Sequence, residues 1–105
     1  MSQDRILVVE DDPSIRRILM LQLEAAGYKA LEAIDGVAAL QLLKREVPDL
    51  VLLDMMMPNM DGHAVCKAIR ADRRLQHVPV IFLTAKATMD SKIEGLDEGA
   101  NDYLT

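Results

Sequence analysis

Three short apolar runs in this chain are each followed at once by side chains that carry oxygen. Glu10, Asp11 and Asp12 follow Ile6-Leu7-Val8-Val9, Asp54 follows Leu50-Val51-Leu52-Leu53, and Thr84 follows the run ending at Leu83. Carboxylates gathered in one pocket repel: at ~4 Å and an effective dielectric near 20, each ionised pair costs on the order of 4 kcal/mol. Such a cluster takes up a divalent cation or keeps a proton. Oxygen-only donors favour Mg²⁺, which retains several waters and binds one or two carboxylates together with a phosphate. No histidine ends a comparable run, and Cys66 falls in a helical stretch, which argues against Zn²⁺. A carboxylate can also attack phosphorus to form an acyl phosphate, given a metal to neutralise the transferring group and a donor for its equatorial oxygens. In that chemistry Asp54 is the nucleophile, Glu10 and Asp11 hold the metal, and Thr84 offers its hydroxyl to a phosphoryl oxygen. An acid after a strand is also ordinary turn or cap chemistry, and for Asp12 the cap is the preferred reading. For Asp54 alone a turn would be preferred too; acids after the first and third runs, with a hydroxyl after the fourth, shift the balance to a site.

The elements that must position these residues alternate in two patterns. Short apolar runs occur at Ile6 to Val9, more weakly at Lys29 to Ala33, then at Leu50 to Leu53 and Val78 to Leu83, and a fifth begins at Tyr103 and Leu104. Their brevity and their Val, Ile and Leu content suit strands buried on both faces of a parallel sheet. Amphipathic stretches lie between them. Pro13 opens the first with Asp12 as cap; Ile15, Ile18, Leu19, Gln22 and Leu23 keep helical spacing, and Gly27 stops it. Asp35-Gly36 starts the second, with Val37, Leu40 and Leu43 inward. Asp61-Gly62 starts the third, with Val65, Cys66 and Ile69 on one face. The fourth runs from about Thr88 to Glu98, with Met89, Ile93 and Leu96 spaced for burial. Strand–helix alternation predicts right-handed crossovers and an open, doubly wound α/β sheet, in which ligands bind beyond the carboxyl ends of the strands.

The totals agree with one small domain. The chain has 105 residues, half of them apolar, and a formal net charge of −5. That charge speaks against a nucleic-acid groove or an anionic membrane as direct partner. Arg16, Arg17, Arg70, Arg73 and Arg74 form two basic clusters that read as solvated helix faces. Cys66 is the only cysteine, so no internal disulfide forms; together with the lack of a leader-like N-terminus or a bilayer-length apolar run, this predicts a cytoplasmic protein. Cys66 itself reads as a small buried apolar residue, and His63 and His77 receive no role.

Ile6 to Asp12, the stretch Leu52-Leu53-Asp54-Met55-Met56-Met57-Pro58-Asn59-Met60-Asp61-Gly62, Phe82-Leu83-Thr84-Ala85, and Gly99 to Thr105 together resemble the receiver domains of two-component response regulators, in order and spacing along essentially the whole chain. The resemblance implies a flavodoxin-like five-stranded parallel sheet of order 2-1-3-4-5. It implies that Asp54 takes a phosphoryl group from the phosphohistidine of a sensor histidine kinase or phosphotransfer protein. It places Mg²⁺ at Glu10, Asp11, Asp54 and the backbone carbonyl of Met56, and makes Thr84 and Tyr103 the switch pair that reshapes the surface around the fourth helix and fifth strand. The chain is then a phosphoacceptor and not an enzyme acting on an external substrate.

Against the family pattern, the lysine after the fifth strand and the fifth helix are absent, since the sequence stops at Thr105. This reads as a receiver domain truncated at its C-terminus; covering the bared sheet face by a homodimer is the competing explanation. A phosphorylation-independent interaction module with the same fold is the alternative function. A phosphatase with an aspartate nucleophile would want a second acid two residues on, where Met56 stands, and no glycine-lysine phosphate loop is present.

Overall fold

The computed structural model describes residues 4–54, 62–83 and 102–104, the last three through their backbone. In chain order the elements are β1 (Arg5–Val9), α1 (Pro13–Ala25), β2 (Lys29–Ala33), α2 (Gly36–Leu43), β3 (Leu50–Asp54), α3 (Gly62–Ala71), β4 (Val80–Leu83) and β5 (Asp102–Leu104). The strands form one sheet in the order β2-β1-β3-β4-β5, and every pairing is parallel. This is the doubly wound α/β architecture expected from the alternation of short apolar runs and amphipathic stretches. The expected fourth helix at Thr88 to Glu98 lies outside the described residues.

Alternation along the strands divides the core between the two faces of the sheet. Leu7, Val9, Val51, Leu53, Val80 and Phe82 pack with Ala39 and Leu43 of α2 and Val65, Cys66 and Ile69 of α3. Ile6, Val8 and Leu52 face the other way, against Leu19, Met20 and Leu23 of α1. Phe82, Leu7 and Leu53 are fully buried; each such side chain contributes roughly 1.5–3 kcal/mol of transfer free energy. Cys66 sits among them with no exposure, as the small apolar residue expected.

One inward assignment on the helices is corrected. Val37 is 44% exposed, and the buried face of α2 runs instead through Gly36, Ala39 and Leu43. Ile15 and Ile18 are likewise exposed, because the row Arg16, Leu19, Met20 and Leu23 is the one turned to the sheet. The fourth strand begins at Val80 rather than Val78. Pro79 has no N–H to give, although its carbonyl accepts from Val51 N at 3.0 Å, and Val78 is buried ahead of it.

Helix ends follow local chemistry. The Asp12 side chain accepts from Ser14 N at 2.8 Å and Ile15 N at 3.2 Å, and Pro13 fills a first-turn position that needs no N–H donor. Gly27 closes α1 with φ of 96°. Its N–H donates to the Glu24 carbonyl and that of Tyr28 to the Leu23 carbonyl, each at 3.0 Å, the pairing of a left-handed glycine cap. Asp35 caps α2 through Ala38 N at 2.8 Å.

Asp12→Ala is expected to lower unfolding free energy by about 1 kcal/mol in a urea titration. Divalent-cation affinity should stay within about threefold, because Asp12 works on the helix and not in the acidic cluster. A larger loss of cation affinity would reverse that assignment.

The arginines are corrected in part. Arg74 donates to the Leu43 and Lys44 carbonyls at the end of α2, at 3.0 and 3.4 Å. Arg70 donates to the carbonyls of Gln76 and Val78 at 2.9 and 2.6 Å. Both satisfy backbone oxygens that helix or strand geometry leaves over, so they are structural ties and not merely solvated faces. Among the described residues no helix is long and apolar enough to cross a membrane.

Candidate active site

Register brings the acids together. Val9 pairs with Leu53 across β1 and β3, so the next residues, Glu10 and Asp54, stand side by side where the two strands end. By alternation they continue the rows Ile6, Val8 and Leu50, Leu52. Asp11 follows at the turn into α1. One carboxylate oxygen from each of Glu10, Asp11 and Asp54 lies within 4.8 Å of the others. Their exposures differ: Glu10 is buried at 5%, Asp54 is half-buried and Asp11 exposed. The cluster is therefore open on the Asp11 side and closed beneath Glu10, at the carboxyl edge of the sheet where ligands of this architecture bind.

Burial is the largest cause holding the Glu10 carboxyl above its ordinary range, from 4.5 up to about 8, followed by the hydrogen bond its protonated form makes to Asp54. Asp11 and the negative charge of Asp54 push in the same direction, while the Asp12 N–H, 3.2 Å from Glu10 Oε2, opposes them. Burial and the neighbouring carboxylates thus both favour the protonated form of Glu10 when no cation is bound. An ion with charge and oxygen preference fits the same donors: two carboxylates converge from adjacent strands, a third comes from the turn, and no nitrogen or sulfur ligand joins them among the described residues.

The other expected site residues are placed less fully. Met56 and Thr84 lie outside the described residues. Tyr103 is described through its backbone, which pairs with Phe82. Asp54 pairs with Leu83, the residue immediately before Thr84 in sequence. His63, given no role from sequence, stacks on Phe82 with ring centroids 5.3 Å apart and belongs to the packing of α3 on β4.

Arg16 is the residue the sequence reading missed. It was placed on a solvated face, yet Nη1 donates to the Glu10 carbonyl at 2.9 Å and Nε to Glu32 Oε1 at 3.1 Å. A signal was present: Arg16 precedes Leu19, Met20 and Leu23 by three, four and seven positions, which puts it on the sheet-facing row of α1. A groove of about 360 Å³ on the flank of α1 is lined by Arg16, Arg17, Met20, Leu21, Glu24 and Glu32 among others and receives no chemical role.

Comparison with known proteins agrees with this fold. The family model "Response regulator receiver domain" matches residues 6–105. The chain is 45% identical over 101 residues to the DNA-binding dual master transcriptional regulator RpaA of Synechocystis, covering 96% of this chain and 42% of that protein. It is 44% identical to the response regulator PleD of Caulobacter vibrioides, of which it covers 22%; the chain thus spans less than half of either curated relative. Among solved structures, Vibrio cholerae chemotaxis protein CheY4 superposes with a TM-score of 0.95 at 32% identity, covering 99% of this chain and 87% of that one. The receiver domain of sensor histidine kinase PA1611 from Pseudomonas aeruginosa, solved with a magnesium ion coordinated in its active-site cleft, superposes with a TM-score of 0.91 at 34% identity, over 99% and 85% of the two chains. With a family match across nearly the whole chain and close superposition on solved structures, this chain belongs to the response regulator receiver domain family.

Proposed function

We propose that Asp54 is the phosphoacceptor of a two-component phosphorelay, taking its phosphoryl group from the phosphohistidine of a sensor histidine kinase or phosphotransfer protein. The observation that carries this reading is the convergence of Glu10, Asp11 and Asp54 within 4.8 Å at the carboxyl ends of β1 and β3. An Asp54 carboxylate oxygen attacks phosphorus in line with the departing imidazole nitrogen. The half-buried setting of Asp54 leaves it reachable by a donor, while the sheet edge holds its backbone still. Glu10, Asp11, Asp54 and the Met56 carbonyl are the groups assigned to Mg²⁺, which when bound neutralises charge on the transferring group. Glu10 must give up its proton for this arrangement to form. Thr84 is assigned to a phosphoryl oxygen, and Thr84 with Tyr103 to relaying the state to the surface around the fourth helix and β5, by shifting a balance between two packings. The chain modifies itself and turns over no external substrate.

The test is incubation with acetyl phosphate and Mg²⁺, followed by intact mass and peptide mapping after borohydride trapping. A single phosphoryl adduct on Asp54 that disappears when the metal is chelated is expected. Absence of any adduct, under conditions where an established receiver is modified, would leave the fold as a binding module without phosphoryl chemistry.

A further inference from the structure

The Glu10 peptide is held from two sides. Its N–H donates to the Ala33 carbonyl at 3.2 Å, extending the β1–β2 ladder one residue beyond the last pair, Val9 with Ala33. Its carbonyl leaves the ladder and accepts from Arg16 Nη1 at 2.9 Å. Nε of the same guanidinium donates to Glu32 Oε1 on β2 at 3.1 Å. The Arg16 side chain is 15% exposed and that of Glu32 52%, so the arginine lies under the turn and not over it. Arg16 N donates to the Asp12 carbonyl at 2.9 Å, while the Asp12 N–H reaches back to Glu10 Oε2 at 3.2 Å. Residues 10 to 16 therefore form a closed brace between the end of β1, the first turn of α1, and β2.

We infer that Arg16 is a positioning residue for the acidic cluster: its guanidinium fixes the plane of the Glu10–Asp11 peptide, and so the directions from which the Glu10 and Asp11 carboxylates meet Asp54 around a divalent cation. This rests on reading the cluster as the Mg²⁺ site. Two effects of Arg16 on cation binding have opposite signs. As a positive charge beside a cation site it opposes binding, so its removal would tighten the metal. As the brace of two donor residues it favours binding, so its removal would loosen the metal. The first effect is small, because the guanidinium is already paired with Glu32, and Glu32 is open to solvent that screens both. The second is larger: contacts that orient metal-holding groups without touching the ion are worth about 10–100-fold in affinity. Arg17, the next residue in the chain, carries the same charge at an exposed position and serves as the control for charge alone.

The experiment measures Mn²⁺ dissociation constants from the electron paramagnetic resonance of free Mn²⁺, with Mg²⁺ as competitor, at a temperature where circular dichroism shows each protein folded. Arg16→Met is expected to weaken binding roughly 10-fold, and Arg16→Lys, which keeps one donor for the Glu10 carbonyl, to recover to within about threefold of wild type. Arg17→Met should leave the constant unchanged or slightly tighter. A purely structural arginine would lower the melting temperature in Arg16→Met and leave the dissociation constant alone; that result, or tighter binding, overturns the inference. If Arg16→Met does not fold, Arg16→Gln takes its place, and a wild-type constant there overturns the inference equally. Wild-type protein that binds no Mn²⁺ overturns the metal reading itself, and is told apart from failure of the brace by the wild-type titration alone.

Discussion

Asp54→Asn is expected to abolish phosphoryl adduct formation with acetyl phosphate and Mg²⁺, while making the metal-free protein more stable. The two outcomes share one cause. The amide oxygen carries no full charge and is a poor nucleophile toward phosphorus, so the adduct should fall to background by intact mass. The same substitution removes the negative charge from one of three carboxyl groups whose oxygens lie within 4.8 Å of each other. At that separation and an effective dielectric of 20, one ionised pair is worth about 3 kcal/mol. Because the cluster already sheds part of its repulsion by protonating Glu10, a gain of about 1–2 kcal/mol is expected in urea unfolding with the metal chelated. Mg²⁺ should raise the wild-type melting temperature through linkage and raise that of Asp54→Asn much less. A residue placed for stability would lose stability when changed. An adduct surviving on Asp54→Asn would move the acceptor elsewhere.

The legibility of this chain follows the kind of interaction involved. Strands were readable because burial on both faces turns them into continuous apolar runs, and β2 coincides with its expected limits at Lys29–Ala33. The acid cluster was readable for a related reason. Once β1 and β3 are neighbours, the residues after Val9 and Leu53 must meet, and sequence position alone identifies them as Glu10 and Asp54. What could not be read is how far each helix is rolled against the sheet. Val37 and Leu43 both fit a helical stripe, but α2 is rolled so that Ala39 and Leu43 are buried and Val37 is not. Arginine is the harder case. Arg16 shares the sheet-facing row of Leu19, Met20 and Leu23, but Arg70 and Arg74 look like any solvated arginines until the carbonyls left over at Val78 and Leu43 are located in space. Those leftover acceptors belong to the tertiary arrangement and leave no local pattern in sequence. The switch roles of Thr84 and Tyr103 are legible only through resemblance, because no local pattern of residue types encodes a motion between two packings.

Glu10 supplies the second large effect, and here the direction with pH is the test. Burial, then the Asp54 hydrogen bond, raises the Glu10 carboxyl from 4.5 to about 8 in the folded, metal-free protein. Between those values the native state holds a proton that the unfolded chain has released, so unfolding free energy falls as pH rises. The contribution of Glu10 is thus fully present below about pH 4.5 and lost as pH passes through about 8. A displacement of this size has an upper bound near 5 kcal/mol at about 1.4 kcal/mol per tenfold change in the proton equilibrium; about 2–3 kcal/mol is expected once the exposed Asp11 side relaxes into water. Glu10→Gln, neutral at every pH, should lack this slope, and the gap between the two stability curves should widen in its favour from pH 5 to pH 8.5. Cation binding must run the opposite way. A cation competes with the Glu10 proton, so the wild-type Mg²⁺ dissociation constant should tighten by about tenfold per pH unit below 8 and level off above it. In Glu10→Gln the constant should be weaker at high pH and nearly flat. Saturating Mg²⁺ should then cancel most of the alkaline loss of stability in the wild type, because the same charge that destabilises the empty cluster is the one the cation neutralises. A wild-type Mg²⁺ affinity that ignores pH between 6 and 8 would show that the ion displaces no proton from Glu10.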